Sequence, residues 1–465
     1  MTNEEIVLEY LQRVIKNTKW ENKIYAVGGC VRDEIMKIKP KDLDFVVLGD
    51  LNAGIEFATW LGEALHIYKN DSNPVIYPRY GTAKLSLSNS KLPDIELEFV
   101  APRIEKYIEN SRNPIVVKGE LIDDIMRRDF CINSLAKNIS TNEILDLSGN
   151  GINDIKNCII RTTSDPKIIF KDDPLRMMRA IRFTAKYNFS MLPEVVESIK
   201  EHSELINIIS KERISDELSK ILISPNPVLG IELLRKTNLL VHILGSEFMQ
   251  LIGMTQNKFH VDDVYNHTLK VLSQTPPKLN VRLMALLHDV GKSETRTVED
   301  SVVHFYKHEL IGKDIARNIL VNLKYSNNII DSVLKGIESH MLLKYGLDNS
   351  QKINDKALRK FKINMGDDLM DILDLINADN NSHAIEHNMP NQINILKERI
   401  DNLKMPSNKS DIILPINGHD LITLGLKPGP IFRTIMDSVQ DKWYENPDLT
   451  KEDAMSIVND VLNNI

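Results

Sequence analysis

Cysteine is scarce in this chain of 465 residues, and the three present (Cys30, Cys131 and Cys158) are odd in number and lack zinc-site spacing. That excludes a disulfide scaffold and points to a reducing, cytoplasmic compartment. Glycine (20) and proline (19) leave little room for low-complexity linkers. Long apolar runs are missing as well: nothing approaches the roughly 18 consecutive residues of a membrane span, so no membrane partner is expected. There is no basic excess. A formal net charge of −7 argues against wholesale wrapping of a nucleic acid, though not against a local basic groove. A secretory leader is not expected either. The opening MTNEEIVLEYLQRVIKN sets Ile6, Val7, Tyr10, Leu11, Val14 and Ile15 at helical spacing behind Glu4 and Glu5, which is an amphipathic helix.

What is present is an ordinary globular composition, 42% hydrophobic and 26% charged, in a chain long enough for about three to four domains. The first 150 residues mix strands and helices. Ile24–Val27 reads as a buried strand running into Gly28-Gly29, Val31–Met36 restarts as a helix, and Leu43–Leu48 is an apolar strand. DIELEFV at 94–100 alternates with period two, so Asp94, Glu96 and Glu98 share one face and Ile95, Leu97 and Phe99 the other. From about residue 170 the pattern turns helical and stays so. The last clear element opens at Pro428-Gly429-Pro430 and continues as a helix, proline being a favoured first residue. No fixed-period repeat is visible.

Several groups in the head carry chemistry. Gly28-Gly29 lets backbone approach a triphosphate, with Arg32 adding positive charge. Asp42 and Asp44 stand two apart on a strand, side by side. With a third carboxylate they can hold Mg²⁺ through hard oxygen ligands, activating a 3′-hydroxyl and stabilising departing pyrophosphate in an in-line displacement. Alternation alone does not choose between Glu96 and Glu98 for that third place. Arg127, Arg128, Asp129 and Asn133 cluster groups suited to triphosphate oxygens and ribose hydroxyls. After Asp172-Asp173, Arg176, Arg179 and Arg182 lie three apart on one helix face; residues 156–186 hold eight Lys/Arg against three Asp, a local +5.

In order, GGCVRD (28–33), DLD (42–44), RRDFCIN (127–133), DDPLR (172–176) and ERISDEL (212–218) resemble the motifs of the class II tRNA nucleotidyltransferase and poly(A) polymerase family, over about residues 24–220. The resemblance implies triphosphate contacts at Gly29 and Arg32 and metal ligands at Asp42 and Asp44. It favours Glu98, in EFVAPR, as the third carboxylate. It also implies ribose and phosphate readers at Arg128, Asp129 and Asn133, and a nucleotide-reading arm at Asp173, Arg176, Arg179 and Arg182. ATP and CTP both present an exocyclic amine beside a ring-nitrogen acceptor; an Asp accepting from the first and an Arg donating to the second select A and C without a nucleic-acid template. The chain departs from the family pattern at Asp172, where Glu is commoner, at Cys131 and Ser134, and in DLSGNGIND (146–154), which looks one residue longer than usual.

In the helical body, LMALLHDVGK (283–292) ends an apolar helix in His288-Asp289; His267 precedes it, and His308, His340 and Asp379 follow. That order resembles the HD-type metal-dependent phosphohydrolase domain over about residues 260–382. It implies His267, His288, Asp289 and Asp379 as core ligands of a transition metal (Mn, Ni, Co or Fe), with His308 and His340 on a second ion. A second HD pair, His419-Asp420, reads as packing or RNA contact.

Together these resemblances imply an α+β fold. A small mixed-sheet, polymerase beta-like nucleotidyltransferase head (1–155) is followed by an all-helical neck (156–258), an HD domain (259–390) and a tail (391–465) that grips the tRNA elbow by shape and phosphate contacts. The implied reaction is addition of CCA to tRNA 3′ ends from CTP and ATP. A loop with Arg103, Glu105, Tyr107, Arg112 and Pro114 resembles the family element associated with A addition. The alternatives are an A-adding enzyme, a poly(A) polymerase (disfavoured because FVVLGDLNAGIEF, after the DxD strand, has no basic pair), or an HD phosphohydrolase acting on a small nucleotide.

Overall fold

The structure is a computed structural model that describes residues 2–40, 42–65, 74–78, 81–88, 90–106, 115–256, 262–342, 353–383, 392–403 and 412–463. It divides into two compact units, Met1–Ile243 and Leu244–Ile465.

The first unit opens with the expected amphipathic helix, Asn3–Ile15. Thr2 and Glu5 close a reciprocal capping box at its start, and Val7, Leu11 and Ile15 are buried along one stripe. Nine strands follow: β1 (Ile24–Val27), β2 (Leu43–Val47), β3 (Val75–Tyr77), β4 (Thr82–Ser86), β5 (Glu96–Val100), β6 (Arg103–Lys106), β7 (Ile115–Lys118), β8 (Leu135–Asn138) and β9 (Ile144–Asp146). Seven of them form one mixed sheet in the order β3-β4-β5-β2-β1-β8-β9, while β6 and β7 make a separate hairpin. Within the sheet only β2 and β5 run parallel.

Strand alternation then divides the sheet into two faces. Leu43, Phe45, Leu97 and Phe99 are buried, with Phe45 stacked on Phe99 at 5.1 Å and Phe57 meeting Phe99 edge-on at 5.0 Å. Phe57 belongs to the helix Ala53–Ala64, which lies so close to β5 that a Cβ on Gly54 would come within 2.8 Å of the Phe99 carbonyl oxygen. This dry face leaves Asp44 and Glu98 on the other side.

Next to the sheet, the helix Leu175–Tyr187 packs against Lys211–Leu222 and Pro227–Lys236. The DLSGNGIND stretch is organised by Asp146, whose carboxylate accepts hydrogen bonds from Ser148, Gly151 and Ile152 before the helix Gly151–Lys156 begins.

The second unit is mostly helical, as patterned; the helix Pro430–Glu445 starts at the second proline of Pro428-Gly429-Pro430, but it is not the last element, because the helix Lys451–Asn463 follows it. Its tail packs around Ile416, Leu421, Ile435, Val439, Ala454 and Val458. The body is not wholly helical, however. Arg296–Glu299 pairs antiparallel with Val302–Phe305, and in the first unit Ile159–Ile160 pairs parallel with Ser190–Met191. RTVE and VVHF are rich in β-branched residues around Asp300-Ser301, both at positive φ, a hairpin signal that the surrounding helical periodicity obscured. Among the described residues no helix is long and apolar enough to cross a membrane.

Candidate active site

Parallel pairing of β2 with β5 sets Asp44 directly opposite Glu98. Asp42 stands two residues before Asp44, just ahead of β2, while Glu96 falls opposite Ser86 on β4. Register therefore separates the two glutamates that alternation left equivalent. The Asp44 side chain opens to a cavity, yet the walls crowd its carboxyl. That burial, together with the like charges of Glu98 and Asp42, pushes its pKa up to about 6 against the pull of Arg128 and Lys84. Acids placed so that they repel each other are a donor set that a divalent cation relieves, and their oxygens are the ligands such an ion takes.

The cavity beside them has a volume of about 710 Å³ and is lined by Gly28, Gly29, Asp42 and Asp44 on one wall and by Asp173, Arg176, Arg179 and Arg182 on the other. Gly28 has φ +76°, and a Cβ there would meet Arg128 Nη1 at 2.8 Å, so only glycine lets that guanidinium lie against the turn. Arg32 is buried and already committed. It donates to Asp33 Oδ1 at 2.8 and 2.6 Å and to Asn133 Oδ1 at 2.5 Å, and lies over the Tyr187 ring at 4.8 Å. Asn133 in turn donates to Asp129 Oδ1 at 3.0 Å, and Arg179 Nε donates to Asp129 Oδ2 at 2.7 Å. Burial opposes ionising Asp129, but Arg179 and these hydrogen bonds hold its pKa below the ordinary value. The chain Asp33–Arg32–Asn133–Asp129–Arg179 thus ties the glycine turn to the arginine helix.

The arginine face is real but its members are differently employed. Arg176 donates to the Arg127 carbonyl at 2.9 Å, Arg182 to Glu217 at 2.6 Å, and Asp173 accepts from the Leu175 N–H at 3.2 Å and from Arg213 at 2.9 Å. A carboxylate offers about four lone-pair positions, so Asp173 keeps acceptor capacity toward the cavity.

Asp124, Arg213 and Lys84 were not singled out from the sequence. Asp124 had a readable signal, three and four residues before Arg127 and Arg128. It is fully buried and accepts from them at 2.5 and 3.1 Å. Removing it strands two guanidinium groups, so Asp124→Ala is expected to cost about 3 kcal/mol in denaturant unfolding. Burial works to raise the Asp124 pKa, but the two arginines bring it below the usual 3.8. Its contribution is therefore present above the unfolded carboxyl value and lost as pH falls through the lower folded one; the stability gap between Asp124→Asn and wild type should narrow below about pH 4.

The second unit holds another cluster. His267 on the helix Val264–Gln274, His288 and Asp289 after Leu279–Leu287, His308 heading His308–Asn322, His340 closing Asn327–Ser339 and Asp379 on Leu369–Ser382 are all buried. Their donor atoms sort into two trios, His267/His288/Asp379 and Asp289/His308/His340. Asp289 bridges the two: its Oδ2 lies 3.2 Å from His288 Nε2 and 3.8 Å from His267 Nε2, and its Oδ1 3.4 Å from His308 Nε2.

The ring nitrogens are informative. His288, His308 and His340 each direct Nδ1 at a backbone carbonyl three residues earlier, at 2.9, 3.0 and 2.7 Å. A carbonyl only accepts, so these partners assign a proton to Nδ1, and each ring turns Nε2 toward the cluster. The His308 and His340 Nε2 atoms then face each other at 3.3 Å, a contact that a shared proton or a shared cation makes favourable. Burial opposes ionising Asp289, yet His288 and Lys292 hold its pKa well below the usual range. Of the other expected groups, Asp420 caps the helix Gly418–Thr423 and pairs with Lys451, while His419 is exposed. Tyr107, Arg112, Pro114 and the Glu105 side chain lie outside the described residues.

A mixed sheet that presents neighbouring carboxylates to a cavity lined with arginines combines a donor set for a divalent ion with a cleft suited to a nucleoside triphosphate. Comparisons with known proteins agree. Residues 24–161 match the poly A polymerase head domain, 188–249 the probable RNA and SrmB-binding site of polymerase A, and 299–447 the putative domain 2 of tRNA nucleotidyltransferases. The chain belongs to the class II CCA-adding tRNA nucleotidyltransferase and poly(A) polymerase family.

Among relatives, the mitochondrial CCA tRNA nucleotidyltransferase of Saccharomyces cerevisiae is 31% identical over 60% of this chain, a match that spans about half (55%) of that protein. A tRNA nucleotidyltransferase of Schizosaccharomyces pombe is 25% identical over 98% of this chain and 94% of its own. The crystal structure of the Bacillus stearothermophilus CCA-adding enzyme with CTP shares the fold at a TM-score of 0.68 and 20% identity, covering 100% of this chain and 99% of that one.

Proposed function

We propose that the chain adds CCA to tRNA 3′ ends from CTP and ATP without a nucleic-acid template. The observation that carries this is the pair Asp42 and Asp44 on an arginine-lined cavity that also holds Asp173, with Glu98 in register beside Asp44. The tRNA 3′-oxygen attacks the α-phosphorus, the bond to the bridging oxygen of the β-phosphate breaks, and pyrophosphate leaves. Asp42, Asp44 and Glu98 would hold Mg²⁺, which would supply the Lewis acid that lowers the hydroxyl pKa and offsets charge on the leaving group. On this reading Gly29, Arg32 and Arg128 take the triphosphate, Arg128, Asp129 and Asn133 the ribose and its phosphates, and Asp173, Arg176, Arg179 and Arg182 the base; all of them line the same cavity. The unpaired thiols fit a cytoplasmic setting, and the division into head (1–155), neck (156–258), HD region (259–390) and RNA-gripping tail (391–465) remains our reading of the chain.

The test uses purified protein, Mg²⁺ and tRNA transcripts ending before CCA, after C and after CC, each given single labelled nucleotides and CTP plus ATP. Two C and one A followed by a stop is the expected product. Addition of A to the CC-ended transcript alone, or long A tails, would replace this reading with an A-adding enzyme or a poly(A) polymerase.

A second site is favoured by the opposed His308 and His340 nitrogens. We infer that the cluster His267, His288, Asp289, His308, His340 and Asp379 holds transition-metal ions (Mn, Ni, Co or Fe) able to present water to a phosphoester. Purified protein should retain close to stoichiometric transition metal by elemental analysis. His340→Ala should lose it together with any hydrolysis of a chromogenic phosphodiester, while nucleotide incorporation persists; metal content unchanged in that variant would refute the assignment.

A further inference from the structure

The residues flanking the carboxylates on the sheet carry a further consequence. Strands β2, β5 and β4 are neighbours, and their registers place Asp44 opposite Glu98 and Glu98 opposite Lys84. Directly opposed residues on adjacent strands hold their Cβ atoms roughly 4.5–5.5 Å apart. Glu98 therefore stands between a like charge on one side and an opposite charge on the other. Lys84 Nζ lies 3.5 Å from Glu98 Oε2 and 2.8 Å from Oε1 of Glu96, which shares the Glu98 face two residues earlier. One ammonium is thus divided between two carboxylates and sits closer to the one without a partner in the acidic row.

We propose that Lys84 and Glu96 are a positioning pair that sets how strongly Glu98, and with it Asp42 and Asp44, holds a divalent cation. This rests on Glu98 being the third ligand of the head site. A lysine has three donors on a flexible stem and no fixed fork, so it can be drawn from one acceptor to another. An ammonium on Glu98 occupies lone pairs and offsets charge that an incoming ion needs. Glu96 holds that ammonium back. Lys84 also acts on Asp44, whose raised pKa it partly counters. The Lys84, Glu96 and Glu98 side chains are 35%, 60% and 38% exposed, so solvent screens the competition and its effect is moderate.

The pair is tested by Mn²⁺ binding to the full chain without nucleotide or RNA, free Mn²⁺ being read by electron paramagnetic resonance. Binding seen in the wild type and absent from Asp44→Ala defines the head site apart from the histidine cluster. Lys84→Met is expected to tighten it about 2- to 5-fold, because a competing cation is gone. Glu96→Gln is expected to weaken it by a similar factor, because Lys84 then moves to Glu98. The double variant should match Lys84→Met alone, since Glu96 acts only through the ammonium. The Mg²⁺ concentration for half-maximal incorporation should follow the same order.

Equal affinities in all three variants, or additive effects in the double one, would overturn the proposal. Glu98→Gln separates the two levels. If it leaves Mn²⁺ affinity and incorporation intact, the assignment of Glu98 itself fails. If it weakens both while Lys84→Met shifts neither, only the role of Lys84 fails.

Discussion

Asp44→Ala, alone or with Asp42→Ala, should reduce nucleotide incorporation by at least about 10³-fold while tRNA binding survives. On the proposed assignment the two acids contribute charge and ligand oxygens to the reaction and no contact to the body of the RNA. Stability should move the other way. Burial and the neighbouring carboxylates raise the Asp44 pKa to about 6 from an ordinary 3.8, so the folded state binds that proton more tightly than the unfolded chain. Ionising Asp44 therefore opposes folding, not at all below the unfolded carboxyl value and fully above about pH 6. Asp44→Asn should accordingly raise the Tm of metal-free protein at pH 8, and the gain should vanish near pH 4. Mg²⁺ should raise the Tm of the wild type more than that of the variant. Calorimetry across this range checks both points; a variant less stable than wild type at pH 8 would mean that the fold holds Asp44 in place instead of being strained by it.

Asp173→Ala should relax the choice of A and C over U and G by about 10- to 100-fold in kcat/KM. A correct base offers an amine to the carboxylate, whereas U or G offers a carbonyl and leaves a desolvated acceptor facing another acceptor. Asp173 is steadied by the Leu175 N–H and by Arg213, so Arg213→Ala should loosen selection in the same direction but less. Competition of labelled CTP against UTP on a transcript ending before CCA measures both. Selectivity unchanged in Asp173→Ala would show that the base edge is read elsewhere in the cavity.

Much of this site is legible in the residues themselves because it follows from local periodicity. Period two puts Asp42 beside Asp44, and a helical spacing of three puts Arg176, Arg179 and Arg182 on one face, which lines the cavity. The alternation of strands and helices in the first 150 residues, followed by a mostly helical chain, is likewise written in local pattern. Periodicity says which residues of one element share a face; it carries no information on how that element is registered against another. The choice between Glu96 and Glu98 was open for that reason, and it is the parallel pairing of β2 with β5, some fifty residues apart in sequence, that sets Glu98 beside Asp44. The same holds for Lys84, an unremarked residue of β4 until the sheet brings it against both glutamates, and for Arg213, which reaches Asp173 across forty residues. In the second unit the residues themselves name the histidines and acids, but the bridging place of Asp289, between His267 and His288 on one side and His308 on the other, arises from the packing of five helices. Local covalent order determined which groups this protein owns and which faces they occupy; tertiary packing alone decided which of them meet, because charge and coordination act through distances of a few ångströms that the chain closes only on folding.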